Sequence, residues 1–366
     1  MTKVQRVRLD SDQQVSWIVL DDDYVPVQPI CSYLKFLQDL GRSPNTRRAT
    51  THHLKLFWDY LRDEQLDWTE IDVPHLAAFI TWLRRSEGEV VSLEIKPAKR
   101  TNATIDQMVG AVHSLYDFHI RLKTIPELPL YRLTVPARRQ YKPFLYGLAK
   151  AKPEQRRVVS AKREQRLPKT LTAEQVQQLL DACSHLRDKL LLLLLYQTAM
   201  RVGQVLGLRH ADLSVEDGTI QIVPREDNPN GARAKTRKPY LIPALPDVMQ
   251  LYTDYLIEEL GALEADALPE FVFVNLWEGE IGRPMTYEAV MSLVRRLCKK
   301  TGIRFTPHML RHTRATEWIR HKQVSLEEAS SLLGHASIQT TYDTYVHLTA
   351  EDLKQALTKE GDHHAR

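Results

Sequence analysis

The longest apolar run in this sequence, residues 190–196, consists of six leucines followed by a tyrosine. It is much too short to cross a lipid bilayer, which needs about 20 apolar residues. The run lies within a longer stretch, about 185–199, whose composition predicts a helix. A helix that is apolar on every side has to be enclosed by other elements. We therefore expect this helix to be buried inside a folded domain.

The elements predicted around that helix make a mainly helical domain. Its start is marked by Pro168 and by Thr172 and Gln175, which form a capping box. Residues 219–245 alternate as a β-hairpin does, and residues 271–274 suit a short strand. Further helices are predicted at about 173–183, 246–260, 286–301 and 308–321. The fold class expected is mainly α with a small antiparallel β-sheet.

The N-terminal part of the chain predicts a separate helical bundle. Four stretches have apolar residues at helical spacing, and Ser43 followed by Pro44 is a typical helix start. Before them, residues 15–20 suit a short strand. The four helices are predicted at about 29–40, 46–64, 72–85 and 101–121. Helices of this length and pattern pack into a compact bundle.

A basic stretch lies between the two predicted domains. Residues 131–169 contain twelve Lys or Arg and two Glu, a local charge of +10 in a chain whose net charge is +4. Four prolines interrupt it, and no apolar period is evident, so it is typical of a linker. It is either a solvated spacer or a strap across a polyanion, because neutralising phosphates releases counterions.

The cysteines and the hydropathy of the chain indicate the cellular compartment in which we expect it. The three cysteines, Cys31, Cys183 and Cys298, are far apart and odd in number. They predict neither a disulfide framework nor a paired-cysteine zinc site. The first residues contain no apolar signal core. We expect a cytoplasmic protein that does not cross a membrane.

The densest group of chemically capable residues lies between 308 and 345. His308 and Arg311 share one face of a predicted helix. His335 comes just after a second helix, which Ser325 and Glu328 cap and a glycine ends. Beyond it lie Tyr342 and Tyr345. An arginine fork matches phosphate geometry and histidine exchanges protons near neutral pH, so the group suits phosphoryl transfer to a phenolic oxygen.

Two basic residues outside this region are further candidates. Arg201 lies just after the end of the apolar helix, where burying a cation costs free energy unless an anion pairs with it. A buried ion pair or a carbonyl cap explains that arginine equally well. Lys235 is near the tip of the predicted hairpin, from where a lysine can deliver a proton to a leaving oxygen. Hairpin tips are often basic simply because they are exposed.

In their order and spacing, these residues resemble the tyrosine recombinase, or phage integrase, family. The resemblance covers roughly residues 29–350. It rests on Arg201 in TAMRVGQVLGL, Lys235 in GARAKTRKPYLIP, His308 and Arg311 in HMLRH, His335 in LLGHASIQTT and Tyr345 in TYVHL. It implies a helical core-binding domain and a catalytic domain that form a C-shaped clamp on DNA. With it, we predict an extension at 1–28, a core-binding domain at 29–130, a basic linker at 131–168, a catalytic domain at 169–350 and a tail at 351–366.

The resemblance also implies a reaction. Tyr345 would attack a DNA phosphodiester to form a 3′-phosphotyrosyl bond, which a second strand then resolves without ATP, metal or cofactor. Arg201 and Arg311 would stabilise the charge on the phosphate, and Lys235 would protonate the leaving oxygen. His308 would help remove the tyrosine proton, while His335 would hydrogen-bond the phosphate.

Three features depart from the family pattern. Gln204 stands where the family usually has a glutamate, which removes a charge that orients its neighbours. Tyr345 is ten residues after His335, whereas nine is commoner, so Tyr342 is the alternative nucleophile. Lys238 is the alternative to Lys235 as the general acid, because the length of this loop varies in the family.

Other functions remain open at this point. His308 and His312 have the spacing of half a zinc site but lack the accompanying glutamate, and Arg311 would repel a cation.

The competing functions are a DNA-binding accessory protein without catalysis and a type IB topoisomerase. For a recombinase, we expect duplex DNA with specific sites as partner and a homotetramer on it, with residues 351–360 docking on a neighbouring copy. Integration, transposition and resolution are not distinguished, although a mobile-element integrase or transposase is favoured.

Overall fold

The computed structural model describes residues 2–8, 15–84, 100–134, 154–162, 167–236, 238–263, 268–321, 324–335 and 337–346. The chain divides into two compact units, residues 1–165 and 166–366. Within the described ranges, none of the helices has the length and apolar character that a membrane span requires. The predicted fold class, mainly helical with small antiparallel sheets, is confirmed.

The N-terminal unit contains the four predicted helices and an antiparallel pair of strands. Ser43 and Thr101 accept hydrogen bonds from backbone N–H groups at the starts of the second and fourth helices. These caps satisfy donors that a helix start otherwise leaves unpaired. The elements are β1 Lys3–Arg8, β2 Val15–Leu20, α1 Gln28–Asp39, α2 Pro44–Asp63, α3 Val73–Arg84 and α4 Asn102–Arg121. Their apolar faces meet in one core that includes Phe57, Phe79 and Tyr116.

Part of the stretch predicted as a basic linker folds with this N-terminal unit. β3 Tyr131–Thr134 pairs with β4 Glu154–Arg157, and Val159 and Ala161 are buried in the N-terminal core. The apolar pattern of the sequence did not indicate these short strands, because their pairing joins segments 20 residues apart. Residues 135–153 and 163–166 of the predicted linker lie outside the described residues. Its role as a linker stays a prediction.

The apolar helix α6 Leu186–Gln197 is the centre of the C-terminal unit. All of Leu190 to Leu195 are buried, and helices on several sides pack against it. Its packing partners are α5 Ala173–Asp181, α7 Val202–Val205, α8 Pro246–Tyr255 and α10 Pro307–Arg320. Glu259 accepts hydrogen bonds from the backbone N–H groups of Leu186 and Arg187, which caps the start of α6. A carboxylate at a helix start is favourable because it also meets the positive end of the helix dipole.

The C-terminal sheet has three antiparallel strands. β6 Thr219–Ile222 and β7 Tyr240–Pro243 form the predicted hairpin, and β5 Leu213–Ser214 adds an edge that the sequence did not indicate. The loop between β6 and β7 is anchored, because Asn230 donates to the carbonyl oxygens of Leu206 and Met285. The prediction of a strand at 271–274 is wrong. Only isolated bridges form there, although all four of its residues are buried.

Three helices besides α10 complete the unit. They are α9 Tyr287–Thr301, α11 Leu326–Leu332 and α12 Ile338–Tyr345. The capping box predicted at Ser325 and Glu328 is present. Gly334 follows α11 with a φ of +59°, the left-handed conformation that suits glycine after a helix. The sequence did not indicate α12, the helix on which Tyr342 and Tyr345 lie.

An ion pair holds β4 against α4 and allows a test of this packing. Arg157 donates to both carboxylate oxygens of Asp106 at 2.9 Å, and Asp106 is buried. Asp106→Ala removes the carboxylate and leaves the guanidinium only its bond to the backbone carbonyl of residue 106, which should destabilise α4 by about 2 kcal/mol. Asp117→Ala is the matched control, since it removes an exposed pair with Arg121 on the same helix and should cost at most about 0.5 kcal/mol. Native-state hydrogen exchange of the α4 amides measures both, and equal loss of protection would contradict the packing described.

Candidate active site

Arg311 lies at the centre of the cluster formed by the predicted site residues. Its side chain is buried and projects from α10 towards the ends of α6 and α11. One guanidinium nitrogen donates to the carbonyl oxygen of Ala199, and the other donates to that of Leu333 at 2.9 Å. Burial, and then the nearby charge of Arg201, lowers the pKa of Arg311 to about 10. The group therefore remains cationic at neutral pH.

Arg201 brings a second guanidinium to the same place. It is half-buried at the start of α7, and its Nη1 lies 3.5 Å from the carbonyl oxygen of Leu333, which Arg311 also contacts. Within the described ranges, neither arginine forms an ion pair with a carboxylate. The alternative interpretation of Arg201 as part of a buried ion pair thus has no described partner. Two neighbouring cations without a counterion make a strong site for an anion.

His335 completes this anion site in its neutral form. Its Nε2 lies 3.2 Å from Nη2 of Arg311, and its Nδ1 lies 2.8 Å from the hydroxyl of Thr341. An arginine only donates, so Nε2 is the acceptor and Nδ1 carries the proton. Burial, followed by the charges of Arg311 and Arg201, lowers the pKa of His335 to about 4. Thr341, fully buried, fixes the orientation of this ring.

Tyr345 reaches the cluster from the end of α12. Its side chain is 5% exposed and packs with Ala199, Trp318 and Leu333. The hydroxyl lies 2.9 Å from Nδ1 of His312, and Arg311 is close enough for its charge to act on the pKa of the phenol. Burial raises the pKa of Tyr345, while the charge of Arg311 opposes the rise. The hydroxyl is thus protonated at neutral pH and lies beside the guanidinium that would stabilise its anion.

His308 and Lys235 lie at the exposed side of the site. The ring centroid of His308 is 6.4 Å from that of His312, one helical turn later. Partial burial lowers the pKa of His308, and the charges of Arg311, Lys235 and Arg201 lower it further. Lys235 is exposed, and its φ of +55° is uncommon for a residue with a side chain. These three charges are therefore close enough to the His308 imidazole to lower its pKa.

Gln204, the departure from the family pattern, has a defined place. It is buried, its Oε1 accepts from the backbone N–H of Arg201 at 2.7 Å, and its Nε2 donates to the Tyr240 hydroxyl at 2.8 Å. A Cβ at Gly334 would lie 2.7 Å from that hydroxyl. Tyr240 therefore lies between the residues that position Arg201 and the turn that leads to His335.

The structure brings five predicted residues into one cluster, with Lys235 at its edge. Their side chains share hydrogen bonds or act on each other's pKa, and they are Arg201, His308, Arg311, His335 and Tyr345. Sequence reasoning gave no role to His312 or Thr341 and did not identify Tyr240. Only His312 had a usable signal, because its spacing of four from His308 puts both rings on one helical face. The contacts of Tyr240 join residues far apart in the chain.

Comparisons with known proteins match the whole of this architecture. The model of the phage integrase family matches residues 169–352, and that of the phage integrase N-terminal SAM-like domain matches residues 30–123. Transposase A from transposon Tn554 of Staphylococcus aureus is 37% identical over 359 residues, which cover 98% of this chain and 97% of the relative. Tyrosine recombinase XerD of Halalkalibacterium halodurans is 31% identical over 257 residues, covering 68% of this chain and 72% of the relative.

Two solved structures have the same fold. The Tn1549 transposon integrase in complex with transposon right end DNA has a TM-score of 0.62 at 18% identity, covering 91% of this chain and 99% of that one. A lambda integrase dimer bound to a COC′ core site has a TM-score of 0.56 at 18% identity, covering 86% and 94%. At these identities the likeness concerns the fold.

The close approach of Tyr240 to Gly334 yields a test of the site's geometry. Gly334→Ala should destabilise the turn by about 2 kcal/mol, through the strained φ and the clash with the Tyr240 hydroxyl. In a Tyr240→Phe background the clash is reduced, so the same change should cost about 1 kcal/mol less. Hydrogen exchange of the α11 and α12 amides in the four proteins of this cycle measures the coupling. Additive effects would contradict the contact.

Proposed function

Because the chain belongs to the phage integrase family, as a tyrosine-type site-specific recombinase, we propose that Tyr345 is the nucleophile that cuts and rejoins its DNA. The observation that carries this proposal is the position of the Tyr345 hydroxyl. It is buried 2.9 Å from Nδ1 of His312 and near enough to Arg311 for that charge to act on its pKa, in a cluster with two guanidinium groups and a neutral histidine. A phenol that attacks a phosphodiester needs such an arrangement, because negative charge grows on the phosphate as the new bond forms.

The chemistry proposed for the cleavage step uses this cluster directly. Arg201 and Arg311 bind the non-bridging oxygens of the scissile phosphate. The resemblance gives His335 a hydrogen bond to the phosphate, which requires the other tautomer, with the proton on Nε2 and the bond from Arg311 released. Tyr345 attacks the phosphorus, and the 5′-oxygen leaves with a proton from Lys235. The product is a 3′-phosphotyrosyl bond and a free 5′-hydroxyl. Because the covalent bond keeps the energy of the phosphodiester, the hydroxyl of a second strand can reverse the step without ATP or a metal ion.

His308 and Lys235 are assigned in this scheme on geometry and resemblance. The resemblance gives His308 a part in removing the tyrosine proton, and its ring lies one turn from His312 at the open side of the site. Both lysines of the hairpin are exposed. Lys235 is the proposed acid because its charge acts on the pKa of His308.

The proposed partner is duplex DNA that contains specific recognition sites. The relatives' names support this: one is a transposase, and one solved neighbour is an integrase in complex with transposon end DNA. The 37% identity to a transposase over 98% of the chain favours movement of a mobile element over chromosome resolution. The three cysteines are unpaired, which fits work in the reducing cytoplasm.

We propose that four copies act together. Exchange between two duplexes breaks four strands, and each chain supplies one Tyr345, so four chains are needed for a complete reaction. Residues 351–360, which lie outside the described residues, are the proposed docking segment between copies. A closed ring of identical chains is the usual solution for such assemblies.

The nucleophile can be tested with a suicide substrate. Duplexes bound by this chain are first selected from a randomised pool, then nicked so that a short fragment diffuses away after cleavage. In EDTA, the unmodified chain and Tyr342→Phe should form a protein–DNA adduct that resists SDS. Tyr345→Phe should lose the adduct entirely, because phenylalanine has no hydroxyl to attack with. If all three proteins bind the duplex and none forms an adduct, the function is DNA binding alone. The presence of Gln204 in place of the family's usual glutamate would then be the first change to test as the cause of the lost activity.

The general acid has its own test. Lys235→Ala should slow adduct formation on ordinary DNA by about 10²-fold or more, because the leaving 5′-oxygen is left without a proton. A substrate with sulfur in the bridging 5′ position has a leaving group that needs no proton, so the same variant should cleave it at nearly the normal rate. Lys238→Ala serves as the control and should be normal on both substrates. If Lys238→Ala instead were slow on ordinary DNA and normal on the sulfur substrate, Lys238 would be the general acid and Lys235 would not.

A further inference from the structure

One histidine of the site has no role in the family's residue set, yet it contacts the proposed nucleophile. His312 lies on α10 one turn after His308 and is half-buried. Its Nδ1 is 2.9 Å from the hydroxyl oxygen of Tyr345, and the two ring centroids are 5.6 Å apart. Within the described part of the chain, no other histidine hydrogen-bonds this hydroxyl.

A neutral His312 ring can accept this hydrogen bond. Burial lowers the pKa of His312, and the charges of His308 and Arg311 lower it further, so the ring is neutral near pH 7. Burial keeps Tyr345 protonated. In the neutral tautomer that leaves Nδ1 of His312 unprotonated, the Tyr345 hydroxyl donates to Nδ1. In that tautomer the proton of the nucleophile points at a basic lone pair.

His308 is less well placed for the same task. It is exposed, and its ring is a full helical turn away from His312. Tyr345 is only 5% exposed, so its hydroxyl has little access to bulk water. A proton that leaves this hydroxyl therefore has one adjacent basic nitrogen to receive it, and that nitrogen belongs to His312.

We propose that His312 is the general base of the cleavage step, a catalytic residue that takes the Tyr345 proton directly. This proposal rests on the function proposed above. As the tyrosine oxygen forms its bond to phosphorus, its proton passes to Nδ1 of His312, and the bond to the 5′-oxygen breaks as that oxygen takes a proton from Lys235. On rejoining, the imidazolium returns its proton to the departing tyrosine oxygen, so atoms and charge balance over the cycle.

The electrostatics of the site make this transfer depend on bound DNA. Without DNA, a charged His312 would lie beside the charged Arg311, so proton transfer from Tyr345 is unfavourable. A phosphodiester between Arg201 and Arg311 adds a negative charge and offsets that repulsion. The nucleophile is therefore activated only when its target is in place, which protects the chain from unproductive reactions.

Single-turnover cleavage of the suicide duplex tests the proposal. His312→Asn keeps a hydrogen-bond acceptor near the position of Nδ1 but cannot take a proton. We expect its adduct to form about 10²-fold more slowly, with binding of the duplex unchanged. His321→Asn, an exposed histidine just after the same helix, is the matched control and should cleave at the normal rate. A rate for His312→Asn within threefold of the unmodified chain would overturn the proposal.

Chemical rescue separates proton transfer from a structural role. Added imidazole should restore much of the rate of His312→Ala, whereas pyrazole, a ring of the same size and far weaker basicity, should not. A purely structural role predicts equal effects of the two rings, and rescue of His308→Ala alone would assign the base to His308. If the unmodified chain and His321→Asn also form no adduct, the proposed function itself fails. If the unmodified chain and His321→Asn form the adduct and His312→Asn forms it at the same rate, only the role proposed for His312 fails.

Discussion

The active site depends on the hydrogen bonds by which the buried Arg311 guanidinium joins the ends of two helices. Ala199 follows α6 and Leu333 follows α11, and both give their carbonyl oxygens to this one side chain. These carbonyl groups lie at helix ends, where they would otherwise lack partners and where the helix dipole favours a cation. The same bonds leave the rest of the guanidinium facing His335 and Tyr345. One residue therefore holds the site together and supplies part of its charge.

Carbonyl groups stabilise this cation without neutralising it, which explains why the whole site keeps its positive charge. A carboxylate partner would cancel the charge and exclude a phosphate. In the described ranges, Arg201 and Arg311 have no such partner. Burial lowers the pKa values of His308, His312 and His335, and the remaining positive charge lowers them further. Gln204 fits this picture, because it positions the Arg201 backbone through neutral hydrogen bonds and takes Tyr240 as its second partner.

Local sequence signals predicted most of the helices, and the family resemblance supplied the six residues proposed for the site, five of which the structure brings into one cluster. The capping boxes at Thr172 and Ser325 and the helical spacing of apolar residues are short-range features, so they can be read without the fold. The residues that were missed act at long range. Tyr240 contacts Gln204 across 36 positions, and β3 pairs with β4 across 20. The spacing of His312 from His308 indicates only half of a metal site, whereas its partner in the structure, Tyr345, lies on a helix that the sequence did not indicate.

The most direct test of the account is to identify the residue that carries the DNA. The adduct formed by the unmodified chain can be digested with nuclease and protease, and the peptide that retains a nucleotide can be sequenced by mass spectrometry. We predict a nucleotide linked through its 3′-phosphate to Tyr345. A nucleotide on Tyr342 or on any other residue, or linked through its 5′-phosphate, would contradict the mechanism that the geometry of Arg311, His312 and Tyr345 supports.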